Sequence, residues 1–310
     1  MHFIYVFKFY FSSESIVSAN EDAQEPILKK KLIFILSSNY SGSHFLSLML
    51  GSHSKGVHLG ELKNVYKKGG FDKCYVCQGG ADCELFRGID KQDKSSLYDF
   101  LFSRAEEDVT FLVDASKKPR WFRDYLDIEN YDVYLIHLVR DPRALARRWL
   151  MRFSEKNIGL RERIKQIRKN PAKIFRLLFG DDLVVCLYKW ISQNRDIARF
   201  TEESGLPYKR VTYKDLAINT DSALRSICSW IGLEYEPAQK EYWRYPHHGS
   251  QKEEYQWIKK QGGGSYFDQR WKSYLTESQV NRIESHKDLN AFLGSIHMEF
   301  SEEGLEHAES

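Results

Sequence analysis

The chain of 310 residues is 42% hydrophobic, which is enough for a substantial core in one large or two small domains. Its 46 lysines and arginines almost balance 43 acidic residues, and the net charge of +3 argues against nucleic acid as a partner, so any basic function has to be local. No stretch approaches the roughly 18 to 20 apolar residues of a membrane-spanning helix, and we expect no membrane span.

The aromatic start of the chain, residues 1–12, is a candidate signal or anchor segment. Its apolar run is short, it contains Lys8, and it shows no small-residue cleavage pattern. We therefore interpret residues 1–29 as a disordered N-terminal extension and expect the protein to be cytoplasmic.

The first regular element after this extension is a buried strand. Residues 30–36 lead from lysines into a continuous β-branched and aromatic run, which is typical of a strand buried on both faces. A small polar loop, residues 37–43, follows. Apolar residues then form a broad helical stripe over residues 44–50, which Gly51 can end as a left-handed cap. The pattern predicts a strand-loop-helix unit.

Two further strands are expected at residues 110–113 and 132–139, and the second leads into a helix over residues 142–154. Strands that alternate with helices predict an α/β fold with a central parallel sheet flanked by helices. The second half of the chain is mainly helical. Helices are expected at residues 158–179, 183–201, 220–231 and 276–293, and a short strand at residues 208–213.

Two late segments lack a regular pattern. Residues 242–265 are rich in aromatic residues, lysine and glycine, which predicts a mobile loop over the site. The acidic residues 299–310 predict a disordered tail. Because no repeat or low-complexity linker divides the chain, we predict one domain over residues 30–295, followed by an acidic tail over residues 296–310.

The loop of residues 37–43 is a candidate anion site. Its small residues leave room for an anion to approach the backbone, and the following helix offers its free N–H groups and positive dipole end. Hydroxyls of Ser41 and Ser43 can add hydrogen bonds. With one glycine and no lysine, the loop lacks the pattern of a nucleotide-hydrolysing P-loop. The alternative is a plain polar loop at a strand end.

A second segment, residues 137–148, delivers Arg140 at the carboxyl end of a buried strand, where open α/β sheets bind ligands. Its guanidinium can fork onto a phosphate. Arg143 and Arg147 on the following helix are interpreted as part of a solvated basic face.

These two segments resemble the two motifs of the PAPS-dependent sulfotransferases, in particular the bacterial, carbohydrate and tyrosylprotein types. Residues 40–44 align with the motif that cradles the 5′-phosphosulfate, and residues 140–148 with the motif that binds the 3′-phosphate. Residues 113–117 and 211–216 also look similar to bacterial members. The resemblance implies a three-layer, P-loop-like α/β fold, PAPS as donor, PAP as product and no required metal. The donor-binding residues that it implies are Asn39, Tyr40, Ser41, Gly42, Ser43, His44, Arg140, Arg148, Arg270 and Lys272.

Two residues depart from the family pattern. Tyr40 stands where the family usually has a basic residue, so leaving-group charge lacks its usual cation. His44, Lys117, Lys259 or Lys260 are candidates to supply it. Arg148 replaces a serine and keeps hydrogen-bond donors while adding charge.

Glu61 resembles the acid that follows the loop in tyrosylprotein-type and many bacterial relatives, and we predict it as the general base, with His58 as second choice and Lys117 as a further catalytic candidate. The alternative for Glu61 is a surface carboxylate or a salt-bridge partner. His247 and His248 resemble a loop that lies near the acceptor in bacterial members, and the alternative is plain surface.

Cysteines 74, 77 and 83 have the spacing of part of a zinc site, but no fourth ligand follows at a standard interval. We therefore predict no metal site and interpret the cluster, which resembles one in bacterial relatives, as a structural clip, with part of a zinc site as the minority alternative. Cys186 and Cys228 are expected in the core.

The leading hypothesis is a sulfotransferase that moves a sulfuryl group from PAPS to an acceptor hydroxyl, with a carbohydrate acceptor favoured by the resemblance. A non-catalytic nucleotide-binding or scaffold protein is the alternative that Tyr40 supports. A P-loop kinase is a third class, and the missing glycine-lysine pair counts against it.

Overall fold

A central sheet of five parallel strands organises the computed structural model, which describes residues 29–70, 74, 76–77, 83–155, 157–249 and 267–308. The strands are β1 (Lys30–Ser37), β2 (Gly56–His58), β3 (Phe111–Lys117), β4 (Tyr131–Val139) and β5 (Tyr208–Thr212). They are ordered β2-β3-β1-β4-β5, and every neighbouring pair is parallel. The predicted α/β fold with a central parallel sheet is confirmed.

Helices connect and cover the strands. They are α1 (Ser43–Leu50), α2 (Leu62–Lys68), α3 (Leu97–Phe102), α4 (Pro119–Phe122), α5 (Pro142–Phe153), α6 (Ile158–Lys169), α7 (Ile174–Phe179), α8 (Asp182–Glu203), α9 (Tyr213–Ile218), α10 (Thr220–Trp230), α11 (Trp271–Tyr274), α12 (Glu277–Glu284) and α13 (Lys287–Ser295). Among the residues described, none of these helices has the length and apolar character needed to cross a membrane.

Strand β1 is buried on both faces of the sheet. Leu32, Phe34 and Leu36 join one apolar cluster, whereas Ile33 and Ile35 join another on the opposite face, and all five side chains are inaccessible to solvent. Each such side chain contributes roughly 1.5–3 kcal/mol when fully buried. Because β1 is packed on both faces, the loop that follows it begins at a well-packed strand end.

Two elements of the C-terminal region differ from the sequence-based expectation. The single helix expected over residues 276–293 is two helices, because the ring nitrogen Nδ1 of His286 accepts the backbone N–H of Leu289 and starts α13 there. The prediction of a disordered tail was wrong for residues 299–308, since β6 (Met298–Phe300) and β7 (Leu305–His307) pair as an antiparallel hairpin. Leu305 anchors this hairpin in the core, 1% exposed.

The hairpin also buries Arg143, so the predicted solvated position of this residue was wrong. Arg143 is 2% exposed, and its guanidinium forms ion pairs with Asp141 and Glu284, both at 2.6 Å. The same group lies 4.2 Å from the ring centroid of Trp271 and donates to two hairpin carbonyls. Arg143 therefore ties α5 to the C-terminal hairpin.

We expect Arg143→Met to lower the free energy of unfolding by about 3–5 kcal/mol, because it leaves buried Asp141 without its cation. Urea unfolding monitored by tryptophan fluorescence measures the change. Arg147→Met is the matched control: Arg147 lies on the same helix and has no ion pair among the described residues. Equal stability of the Arg143 variant and the wild-type protein would contradict the structural role of Arg143.

Candidate functional site

The loop between β1 and α1 is the centre of the candidate site. Tyr40 and Gly42 adopt left-handed backbone conformations, with φ of 72° and 93°. A Cβ atom on Gly42 would lie 2.8 Å from the Tyr213 ring, so position 42 requires glycine for conformation and for space. No side chain caps the N-terminus of α1, which begins at Ser43. The first-turn N–H groups of α1 therefore face the loop as potential anion donors.

Three serine hydroxyls line this loop from within. The Oγ atoms of Ser37, Ser38 and Ser41 are buried, and none of them has a hydrogen-bond partner among the described residues. Leaving a buried polar group unsatisfied costs about 1–3 kcal/mol. Oxygen atoms of a bound anion would accept hydrogen bonds from such hydroxyls, so the loop is chemically suited to a phosphate or sulfate group.

Arg140 lies directly beside this loop, because β1 and β4 are neighbours in the sheet. Its Nη1 donates to the Tyr40 carbonyl at 2.7 Å, and its Nη2 donates to Asp268 Oδ2 at 3.0 Å. The guanidinium stacks on the Tyr213 ring at 4.1 Å from the centroid. Its Nε has no partner in the described part of the chain. The structure thus brings the two predicted motifs together through one nearly buried arginine.

Asp268 is a site residue that the sequence did not single out. It accepts from Arg140 and from Arg270, whose Nε lies 2.6 Å from Asp268 Oδ1. Although burial opposes the effect, the hydrogen bond from Arg270 and the charge of Arg140 hold the pKa of Asp268 well below its usual range. Asp268 also lines a small pocket next to Arg140 with Tyr213, Phe267 and Trp271.

The remaining predicted donor-binding residues are placed differently from one another. Arg270 is exposed and contacts Asp268, which in turn binds Arg140 beside the loop. Lys272 is exposed, with its ammonium 5.8 Å from the ring centroid of Trp271. Asn39 is exposed at the tip of the loop. Their part in donor binding stays a prediction.

Two arginines of α5 surround the side chain of Tyr40. The Arg148 guanidinium lies 4.8 Å from the Tyr40 ring centroid, and Arg152 Nη1 donates to the Tyr40 hydroxyl. Arg152 was not predicted, although its spacing of four residues from Arg148 places both on one face of α5. Positive charge therefore lies next to the position where the resembling family has its basic residue. Lys259 and Lys260 lie outside the described residues.

Glu61 and Lys117 form an ion pair at the same edge of the sheet. Glu61 follows the end of β2 and also accepts from Asn64 Nδ2 at 2.8 Å, and Lys117 ends β3 with a left-handed φ of 68°. Because β2, β3, β1 and β4 are parallel neighbours, this ion pair, the loop and Arg140 all lie at the carboxyl edge. Two of the predicted catalytic residues are thus brought together.

Buried Asp114 stabilises the end of β3 through its hydrogen bonds. It was not predicted as a site residue. Its carboxylate accepts from Tyr98 at 2.9 Å, from Trp121 at 2.8 Å and from the backbone N–H of Ser116 at 2.8 Å. Burial raises its pKa to about 6, although these hydrogen bonds oppose the shift. Asp114 anchors the end of β3 and with it the backbone that carries Lys117.

Three histidine side chains, from α1, from β2 and from the segment after α10, pack against one another. His58 Nδ1 lies 2.6 Å from Ser47 Oγ, and the His58 ring contacts the rings of His44 at 5.0 Å and His247 at 5.6 Å between centroids. His247 Nε2 also lies 3.1 Å from Ser52 Oγ. Burial lowers the pKa of His247 to about 4. Predicted base candidate His58 and predicted acceptor-side residue His247 are therefore neighbours, and the imidazole of His247 is neutral.

The cysteine cluster has a fourth member that the sequence did not reveal. His248 Nδ1 lies 3.7 Å from the sulfur of Cys74, 3.5 Å from that of Cys77 and 3.4 Å from that of Cys83. No fourth ligand follows the cysteines at a standard interval, and the structure brings in a candidate, His248, from a segment 165 residues after Cys83. Cys186 and Cys228 are buried in the core, as expected.

By sequence, no known protein family matches the chain, and no curated protein does either. Solved structures that are similar to the chain include three sulfotransferases. The sulfotransferase domain from the curacin biosynthetic pathway is 18% identical, with a TM-score of 0.48, and the match covers 83% of this chain and 96% of that domain. The sulfotransferase domain of the Synechococcus olefin synthase is 17% identical, with a TM-score of 0.48, covering 90% and 99%. A sulfotransferase from Mycobacterium avium is 12% identical, with a TM-score of 0.44, covering 86% and 76%.

Proposed function

We propose that the protein is a sulfotransferase that moves a sulfuryl group from PAPS to a hydroxyl of an acceptor. One observation carries this proposal: three buried serine hydroxyls without described partners line the β1–α1 loop, directly beside Arg140. Such a loop suits a phosphosulfate, and an arginine at the next strand end suits a second phosphate. PAPS carries both groups, whereas a nucleoside triphosphate ordinarily relies on the lysine that this loop lacks.

The donor is proposed to bind in two parts. The 5′-phosphosulfate would lie on residues 41–44, with hydrogen bonds from the serine hydroxyls and the first turn of α1. The 3′-phosphate would bind Arg140, whose Nε is buried without a described partner, and Arg148 on α5. The ring of Tyr213 already stacks on Arg140 and orients its guanidinium. The adjacent aromatic pocket of Tyr213, Phe267 and Trp271 suits the adenosine portion.

Transfer requires that the acceptor oxygen attacks sulfur in line as the bond from sulfur to the bridging phosphate oxygen breaks. The sulfuryl group moves to the acceptor, PAP leaves with the bonding electrons, and the hydroxyl proton passes to a base. We propose Glu61 as this base, since its carboxylate lies at the carboxyl edge of the sheet. Lys117, its ion-pair partner, would then be released toward the negative charge that grows on the leaving oxygens.

Besides Lys117, a second cation that compensates for Tyr40 is proposed to come from Arg152 on α5. Arg152 donates to the Tyr40 hydroxyl, which leaves its charge beside the phosphosulfate loop, while Arg148 serves the 3′-phosphate. Arg152 joins Lys117 and His44 as a candidate. We propose a hydroxyl-bearing acceptor, in particular a carbohydrate, on the resemblance alone. A cytoplasmic location is proposed because all five cysteines are free, which suits a reducing compartment.

We expect PAP to raise the unfolding temperature by several degrees, while ATP with magnesium and AMP leave it nearly unchanged. At a PAP concentration of 100 times Kd, ligand linkage adds about 2.7 kcal/mol to the stability of the folded state. Differential scanning fluorimetry with the three nucleotides measures this response. A larger shift with ATP and magnesium than with PAP would favour a kinase.

Two controls sharpen the nucleotide experiment. Gly42→Val is expected to lose the PAP response, because the side chain would collide with Tyr213 in a left-handed backbone position. Gly205→Val carries the same backbone strain, with φ of 67° and no close neighbour, and is expected to keep the response. The second candidate is a non-catalytic scaffold, because Tyr40 stands where the resembling family has a basic residue. PAP binding without sulfated product across a broad acceptor panel would support this alternative.

A further inference from the structure

A second cluster of chemically active side chains lies outside the proposed donor site. It consists of Cys74, Cys77 and Cys83, which follow α2 in the chain, and His248, which follows α10. The four ligand atoms lie within 4.8 Å of one another; Cys74 and Cys83 are buried, and Cys77 and His248 are half-buried. The cysteines and the histidine are far apart in the chain, so the fold itself has to assemble them.

The distances in this cluster fit one tetrahedral ion. A zinc ion bound at about 2.3 Å to sulfur and about 2.0–2.1 Å to nitrogen separates its ligands by roughly 3.8 Å for two sulfurs and roughly 3.5 Å for sulfur and nitrogen. The observed distances are 3.9 Å between Cys77 and Cys83 and 3.4–3.7 Å from each sulfur to His248 Nδ1. Each of these four distances is therefore close to the tetrahedral value.

We propose that Cys74, Cys77, Cys83 and His248 bind a structural zinc ion. Three thiolates and one imidazole form a closed set of four ligands, which is the composition of structural rather than catalytic zinc sites. An iron–sulfur cluster would insert several iron and sulfide atoms between the thiolates and needs a wider cage than 4.8 Å. A disulfide between Cys77 and Cys83 would bring their sulfurs to about 2.05 Å, far shorter than the observed 3.9 Å.

The surroundings of the cluster support thiolate and imidazole ligands. The backbone N–H of Gly249 points to the Cys74 sulfur at 3.5 Å, a contact that stabilises a thiolate. The ring nitrogen Nδ1 of His248 faces all three sulfurs. In this proposal, the structural clip that was expected from the sequence is a zinc site.

The zinc ion would join two segments that border the candidate site. His248 is adjacent to His247, and His247 contacts the His58 ring and Ser52. Binding of His248 would therefore hold His247 against His58. This positioning role is independent of the identity of the donor, and the zinc experiment can succeed or fail separately from the PAP experiment.

The test is the metal content of the full-length protein, purified under reducing conditions. Plasma mass spectrometry is expected to find about one zinc per chain in the wild-type protein. Cys77→Ser and His248→Gln should each reduce zinc content at least about tenfold, since loss of one ligand opens the site. Cys228→Ala is the matched control, because Cys228 is buried in the core away from the cluster and should leave zinc content unchanged.

Cobalt titration of the chelator-treated wild-type protein gives a readout that does not depend on any variant folding. Binding of cobalt to three thiolates and one imidazole is expected to produce intense visible bands of tetrahedral coordination together with sulfur-to-cobalt charge transfer, which zinc abolishes. Folded wild-type protein without stoichiometric zinc and without these bands would overturn the proposal. Mapping of a Cys77–Cys83 disulfide, or full zinc content in both ligand variants, would overturn it as well.

Discussion

Arg140→Ala is expected to weaken PAP binding about 100-fold or more. Truncating one partner of a buried, hydrogen-bonded charge pair costs roughly 2–5 kcal/mol, and Arg140 is the residue that joins the loop to the second motif. Isothermal titration calorimetry with PAP measures the loss. The effect combines a missing phosphate contact with an untethered Tyr40 carbonyl, because the same guanidinium serves both.

Two companion variants separate these contributions. Arg270→Ala removes a second ion-pair partner of Asp268. Because Arg270 is exposed, this substitution should weaken PAP binding far less than Arg140→Ala. Asp268→Asn frees Arg140 from its ion pair without removing its charge, and PAP affinity should be kept or increased. An unchanged PAP dissociation constant in Arg140→Ala would refute the two-phosphate site.

Glu61→Gln is expected to lower kcat about 100- to 10,000-fold while it leaves PAP affinity unchanged. Glutamine keeps the size of the side chain, and its carbonyl oxygen can still accept a hydrogen bond from Lys117, but it cannot take the acceptor proton. Sulfate transfer to an acceptor found by screening, together with PAP calorimetry on the same variant, measures both quantities.

Glu236→Gln is the matched carboxylate control. Glu236 accepts the backbone N–H of Ser54 at 2.6 Å, and we place it outside the proposed transfer chemistry. Its substitution should leave kcat within a few-fold of the wild-type value. Full turnover of Glu61→Gln combined with loss of turnover in His58→Gln would transfer the role of base to His58, which is held by Ser47 and flanked by His44 and His247.

Regular elements with strong local patterns were predictable from the sequence. The continuous apolar run of β1, the run of β4 with Arg140 at its end, and the glycine-containing loop between β1 and α1 each carry their information within a dozen residues. The parallel orientation of the strands was predictable because they alternate with helices in the sequence. The short strand β2 was missed because three residues do not establish a period.

Charge was the least reliable guide to position. Arg143 looked like part of a solvated face because its helix is rich in arginine, yet the hairpin of β6 and β7 covers it and supplies carbonyl acceptors. The acidic composition that predicted a disordered tail did not reveal this hairpin, since Leu305 and Met298 pack into the core from a mostly polar segment. Besides neighbouring Asp141, Arg143 is paired by Glu284, Ser301 and Gly304, which lie 141 to 161 residues away in the sequence and which no local pattern reveals.

The sequence by itself predicted the serine-rich loop after β1 and Arg140 after β4 as site residues, and the family resemblance added Glu61 and Lys117 as candidates. Only the tertiary structure decided how these residues pair, with Glu61 on Lys117, Arg140 on Asp268, the arginines of α5 around Tyr40, and His248 on the three cysteines. Local patterns reflect the periodicity of a single element, whereas each of these pairs joins elements that are adjacent only after the sheet has formed.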